Sequence, residues 1–114
     1  MLFRSRPWLS LGTPGNVHVT VPQVLSNIID YGHDPYHASD LPRMLSLRND
    51  YVLEIESRIG PDVIRDLMKL GIQVKPLPTY DYHMGSFQIC WRDPKTGLLG
   101  SSADPRRTGS AGGA

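Results

Sequence analysis

The segment best suited to chemistry is a glycine-rich turn near the start of the chain, Gly12-Thr13-Pro14-Gly15-Asn16. Glycine reaches backbone angles that other residues avoid, and it lets a substrate approach the main chain closely. Backbone amides in such a turn can stabilise the negative oxygen of the tetrahedral intermediate in acyl transfer. Turns rich in glycine and proline are also common without any catalytic role, so an ordinary loop is the alternative.

Histidines and carboxylates form a second set of candidate residues. His33 and His37 stand four residues apart, and His83 lies far downstream. Two histidines at this spacing can share a helix face and bind zinc. Pro35 separates them, however, and Asp34 has the position of a helix cap, which places His33 outside the helix. We therefore expect solvated or hydrogen-bonded histidines and predict no metal site.

Three further features have an ordinary interpretation beside a functional one. Arg106 and Arg107 form a pair that can grip a carboxylate or a phosphate, but adjacent arginines are more often simply solvated. Tyr80 and Tyr82 can stack on a base or a sugar, although structural packing is the favoured interpretation. Cys90 is the single cysteine, which excludes an intramolecular disulfide and leaves the compartment open. We expect it to be an ordinary half-buried strand residue.

Length and charge limit the class of protein. The chain has 114 residues with a hydrophobic fraction of 39%, which fits one domain of modest core size. Its formal net charge of +1 argues against a nucleic-acid-binding domain. We find no membrane-spanning segment and no signal peptide in this chain, so the compartment is not assigned. A cytoplasmic location is expected if this chain is the complete product.

The elements that would position the turn are predicted from periodicity and breakers. A short strand over residues 7–12 runs into the turn. Thr20 and Gln23 have the spacing of a capping box, which predicts that a helix begins there with Pro22 in its first turn and ends at Gly32. Asp34 caps a second, short helix that ends before Pro42.

Strands and one more helix follow in the second half. Residues 51–56 alternate as a strand with one buried face, in which Tyr51, Leu53 and Ile55 lie on one side and Val52, Glu54 and Glu56 on the other. A third helix runs from Pro61 to Gly71, and a brief strand after it is expected to be stopped by Pro76 and Pro78. A hairpin closes the sequence: Phe87, Ile89 and Trp91 share one face, residues 93–97 form the turn, and residues 98–102 return. Alternating strands and helices predict an α/β or α+β fold.

Seven motifs in this order resemble the C-terminal part of the small subunit of the gamma-glutamyltransferases. This family, also known as gamma-glutamyltranspeptidases or glutathione hydrolases, belongs to the N-terminal-nucleophile hydrolases. The motifs occupy residues 12–16, 23–32, 38–43, 53–56, 63–74, 84–88 and 104–109.

The resemblance implies a fold and a site. The fold would be part of an αββα sandwich over residues 1–107, followed by a flexible tail over residues 108–114. A proline-glycine-glycine turn of the family supplies two amides to an oxyanion hole, and the matching residues here are Gly15 and Asn16. The family's nucleophile is a threonine at the start of the small subunit, which is also its general base. No matching Thr-Thr-His segment occurs in this chain.

The implied function is cleavage of gamma-glutamyl amides, with release to water or to an amine and without a cofactor. The chain would be a fragment that is silent alone, and its partners would be the remainder of the small subunit, the large subunit and a gamma-glutamyl peptide or amide substrate. Two alternatives stay open: a stand-alone, non-catalytic interaction domain that keeps the family scaffold, and part of a related acylase.

Overall fold

The computed structural model describes residues 6–46 and 51–113. Residues 1–5, 47–50 and 114, which the predicted domain and tail boundaries include, lie outside the described residues. The described part is a mixed α/β fold with two three-stranded sheets, which confirms the predicted fold class. Its elements in chain order are β1 (Leu9–Gly12), α1 (Val17–Ile29), α2 (Pro35–Asp40), β2 (Met44–Leu45), β3 (Val52–Glu56), α3 (Pro61–Lys69), β4 (Gln73–Leu77), β5 (Gln88–Arg92) and β6 (Leu99–Ala103).

The first sheet is antiparallel, in the order β1-β5-β6, and carries the main core. Strand β1 pairs with β5 so that Leu9 faces Trp91 and Leu11 faces Ile89. These side chains pack against α1 and α2, as the predicted hairpin alternation requires. The buried cluster at this contact consists of Val24, Ile28, Ala38, Phe87 and Ile89.

The second sheet has the order β2-β3-β4, with β2 antiparallel and β4 parallel to the central strand. Of the two prolines predicted to stop this strand, only Pro78 does so: β4 continues through Pro76, which lies opposite Ile55, and ends at Leu77. Among the described residues, β4 pairs with β3 alone and forms an edge of this sheet. An edge strand tolerates proline because the missing N–H can face away from the ladder.

Helix α1 begins earlier than the capping-box pattern predicted. Its N-cap is Asn16, and Thr20 is a buried residue within the helix whose hydroxyl donates to the Asn16 carbonyl at 3.0 Å. Pro22 therefore lies inside α1 rather than in its first turn. The early start places the helix N-terminus directly against the glycine turn.

The other two helices follow their sequence signals. The Asp34 carboxylate accepts a hydrogen bond from the His37 amide and caps α2, which ends at Asp40 before Pro42. Pro61 opens α3, and Gly71 follows it with a positive φ of 85°. Within residues 6–46 and 51–113, no helix is long and apolar enough to cross a bilayer.

Candidate active site

The glycine turn enters α1 through one residue with an unusual backbone conformation. Gly15 has a φ of +89°, a region that strongly favours glycine. Asn16 has a φ of −81°, which any L-residue adopts without strain. Left-handed geometry is therefore needed at position 15 and not at position 16, so an asparagine in place of a second glycine does not strain the turn.

The amides of Gly15 and Asn16 have no hydrogen-bond acceptor in the described part of the chain. Gly15 and Asn16 use their carbonyl groups, because Val17 N donates to Gly15 O at 2.9 Å and Thr20 N donates to Asn16 O at 3.0 Å. None of the described residues accepts a hydrogen bond from the Gly15 or Asn16 amide. Both N–H groups lie at the N-terminus of α1, where the helix dipole favours negative charge.

A second glycine holds the turn against the loop before β5. The Ser86 amide donates to Thr13 Oγ1 at 2.8 Å, which joins residues 73 positions apart. Gly85 has a φ of +82°, and a Cβ there would lie 2.5 Å from Thr13 Oγ1 and 3.2 Å from Pro14 O. Only glycine allows the two segments to approach this closely.

The side chains of Asn16 and Arg107 contact the same loop. Asn16 Nδ2 donates to His83 O at 3.2 Å. Arg107 Nη2 donates to Tyr82 O at 2.9 Å, and the guanidinium carbon lies 3.8 Å from the centre of the Tyr82 ring. Residues 82–86 are therefore held by contacts from both the glycine turn and Arg107.

A buried network of four charged side chains contacts the same loop at Met84 and consists of Arg43, Glu56, Asp104 and Arg106. The carboxylate of Asp104 pairs with both arginines, and the carboxylate of Glu56 pairs with Arg106. Two predictions fail here. Glu56 is buried along with Ile55, so β3 does not have only one buried face, and Arg106 is buried rather than solvated, because Glu56 and Arg106 each have an oppositely charged partner in the interior.

Backbone carbonyl groups accept further hydrogen bonds from the two buried arginines. Arg106 donates to Ser39 O at 2.9 Å and to Leu41 O at 2.9 Å, while Arg43 donates to Met84 O at 2.8 Å. Burial lowers the pKa of Arg43, and the neighbouring charge of Arg106 lowers it further. Burial also acts to lower the pKa of Arg106, but the hydrogen bond to Glu56 and the charge of Asp104 raise it above its ordinary value. We assign both guanidinium groups as charged.

The sequence spacing of these residues does not predict the network. Arg43 and Asp104 are 61 positions apart, and Glu56 and Arg106 are 50 positions apart. The one available signal was the presence of charged residues inside motifs flanked by apolar elements. That signal indicates which charged residues could be buried, but it does not predict which of them form ion pairs with each other.

The other candidate side chains are those of the histidines and Cys90, and they do not form a site together. His37 pairs with Asp34 at the start of α2, and His83 Nδ1 lies 3.2 Å from Asp81. Across the described part of the chain, no group of three histidine, cysteine or acidic side chains is arranged to hold a metal ion. Cys90 is exposed rather than half-buried, because it lies on the face of β5 opposite the core.

Comparisons with known proteins agree with this architecture. The sequence profile of the family described as Gamma-glutamyltranspeptidase matches residues 1–114. A curated relative, the glutathione hydrolase proenzyme of Escherichia coli, is 33% identical over 103 residues, which are 89% of this chain and 17% of that protein.

Solved structures show the same similarity. A variant of the gamma-glutamyltranspeptidase of Helicobacter pylori superposes with a TM-score of 0.79 at 32% identity, over 94% of this chain and 58% of that chain. The cephalosporin acylase of Bacillus halodurans superposes with a TM-score of 0.72 at 30% identity, over 84% of this chain and 18% of that chain. By its profile match over the whole sequence, its motifs and its N-terminal-nucleophile hydrolase fold, the chain belongs to the gamma-glutamyltranspeptidase family.

Proposed function

We propose that this chain completes the active site of an enzyme that cleaves gamma-glutamyl amides, and that the Gly15 and Asn16 amides form its oxyanion hole. The supporting observation is the pair of amides at the start of α1 without an acceptor among the described residues. Gly15 bends the main chain through a positive φ, and Thr13 fixes the turn through Ser86. Donors held rigidly before the reaction are what oxyanion stabilisation requires.

The chemistry follows the N-terminal-nucleophile scheme. A threonine at the N-terminus of the small subunit, supplied from outside this chain, attacks the gamma-amide carbonyl while its free amino group takes the hydroxyl proton. The carbonyl oxygen becomes an oxyanion and accepts hydrogen bonds from Gly15 N and Asn16 N. Collapse of the intermediate breaks the C–N bond as the protonated amino group returns its proton to the leaving nitrogen, which releases the amine and leaves a gamma-glutamyl ester on the threonine. Water then gives hydrolysis, and an amino acid or a peptide gives transfer.

The partners in this proposal are the remainder of the small subunit and the large subunit. The chain spans 17% of the length of its curated relative and 58% of the Helicobacter pylori chain that it matches. A threonine outside the chain is therefore compatible with the sizes of its relatives. The similarity to a cephalosporin acylase favours a second candidate, in which the same turn serves a different acyl group.

The test is to compare two glycine variants in the full-length enzyme that carries this chain. Gly15→Ala puts a side chain at a φ of +89° and should displace the turn, whereas Gly12→Ala meets nothing within 4 Å and has no positive φ. We expect Gly15→Ala to lower kcat on a gamma-glutamyl anilide by about 10²-fold, as loss of an oxyanion donor does.

The same kcat measurement provides the control and the results that would contradict the proposal. Gly12→Ala should keep kcat within about twofold of the parent enzyme, since a surface change away from the donors has little effect. Equal kcat for Gly15→Ala and Gly12→Ala would reject the oxyanion role of the turn. Turnover of a non-glutamyl acyl donor, with none of the gamma-glutamyl anilide, would favour the acylase.

A further inference from the structure

Arg107 contacts the loop next to the glycine turn through three parts of its guanidinium group. Nε and Nη2 donate to the same acceptor, Tyr82 O, at 3.1 and 2.9 Å. The flat face of the guanidinium covers the Tyr82 ring, with the carbon 3.8 Å from the ring centre. Nη2 also lies 3.5 Å from the place that a Cβ on Gly15 would occupy. The positive charge therefore lies beside the turn.

The buried network fixes the direction from which Arg107 approaches. The preceding residue, Arg106, has a fully buried side chain that is bonded to Glu56 and Asp104. The Arg106 amide also donates to Asp104 Oδ1 at 3.0 Å. The main chain that enters Arg107 is thereby anchored in the interior, which lowers the conformational freedom of the following side chain.

The turn holds the same loop through its own contacts. Asn16 Nδ2 donates to His83 O, and Thr13 accepts from the Ser86 amide. The segment from Tyr82 to Ser86 is consequently held both by Arg107 and by the residues of the turn. A change at Arg107 therefore reaches the turn through the Tyr82–His83 segment, because Arg107 donates to Tyr82 O and Asn16 Nδ2 donates to His83 O.

No carboxylate among residues 6–46 and 51–113 forms an ion pair with Arg107. The nearby Asp81 interacts with His83 and with the amide of that residue instead. The charge of Arg107 is screened by solvent but is not neutralised by a carboxylate, so it still favours a developing negative charge beside it.

We propose that Arg107 is a positioning residue for the Gly15–Asn16 turn: it holds the Tyr82 loop against the turn and keeps a positive charge beside the place where the oxyanion forms. This inference rests on the proposed function of the turn. It assigns a role in the reaction to a residue outside the turn, and it predicts an effect on the chemical step rather than on substrate binding.

The experiment compares Arg107→Gln and Arg107→Lys in the full-length enzyme that carries this chain, with a gamma-glutamyl anilide as substrate. Rates are divided by the amount of processed small subunit, so that a folding or processing defect does not enter kcat. We expect Arg107→Gln to lower kcat about tenfold with KM within about twofold, which is less than the loss of a direct oxyanion donor. Arg107→Lys keeps the positive charge but lacks the two N–H donors that bind Tyr82 O together, so its kcat should fall about threefold.

Arg92→Gln is the matched control, because Arg92 lies at the end of β5 and its side chain has no ion pair with another described residue. It should leave kcat unchanged. In Arg107→Ala, added methylguanidinium ion should restore part of the lost kcat, and it should have no effect on the parent enzyme.

The outcomes separate this inference from the proposed function. An active parent enzyme with Arg107→Gln within twofold in kcat would overturn the role of Arg107 alone. A loss seen only in KM, or an absence of methylguanidinium rescue, would also overturn it. A parent enzyme without gamma-glutamyl turnover would overturn the proposed function and this inference together.

Discussion

The buried network of Arg43, Glu56, Asp104 and Arg106 has no net charge, because its two guanidinium groups are paired with two carboxylates. Asp104 is the shared member: its carboxylate accepts from Arg43, from the Phe87 amide and from Arg106. Removing one member of a buried set leaves the other charges desolvated without compensation, which costs more than the pair contributes when complete. The network therefore makes the position of residues 104–106 sensitive to any single change.

We predict that Asp104→Asn destabilises the protein by about 3–5 kcal/mol, because two buried arginines then share one carboxylate. Urea unfolding measures the free energy of unfolding. Asp62→Asn is the matched control, since its ion pair with Arg65 is exposed and worth less than about 1 kcal/mol. Equal destabilisation by the two variants would contradict the account of the network.

At the scale of the elements, sequence signals worked where they are local. Asp34 and Pro35 set the start of α2, and Gly71 follows the end of α3, as their types predict. The start of α1 was missed because the Thr20–Gln23 spacing imitates a capping box, whereas the helix begins at the preceding turn. The strand itself was predicted, but its continuation through Pro76 was not, because the pairing of an edge strand depends on its neighbour, which spacing does not reveal.

The stability of the α2 cap should fall at both high and low pH. The hydrogen bond to Asp34 raises the pKa of His37 above its ordinary value of 6.5, so this contribution is complete below 6.5 and is lost as pH rises through the raised pKa. Slight burial acts to raise the pKa of Asp34, but the hydrogen bond from His37 lowers it below 3.8. That contribution is present above 3.8 and is lost as pH falls through the lowered pKa.

We therefore expect the α2 cap to be most stable between about pH 4 and pH 6.5. Protection of the His37 amide against hydrogen exchange, corrected for the intrinsic pH dependence, should be greatest in this window. In Asp34→Ala the pH dependence above 6.5 should disappear. A protection profile that stays flat from pH 4 to pH 9 in the parent protein would contradict the pairing.

At the scale of the whole molecule, the site depends on contacts between distant parts of the chain. The turn, the loop before β5 and the C-terminal segment meet through Thr13, Ser86 and Arg107. The sequence indicated Gly15 and Asn16 through their resemblance to a family turn. It did not indicate that only Gly15 needs a positive φ, nor that Arg106 is buried, because both facts arise from tertiary packing.

The chain's place in a larger enzyme is the central claim, and the native polypeptide tests it most directly. An immunoblot against this chain in its source cells, with N-terminal sequencing of the detected species, gives its mass and its first residue. We predict a precursor larger than 12.7 kDa and a processed small subunit that begins with threonine upstream of this chain. A sole product of 12.7 kDa would contradict the catalytic account and would favour a non-catalytic interaction domain.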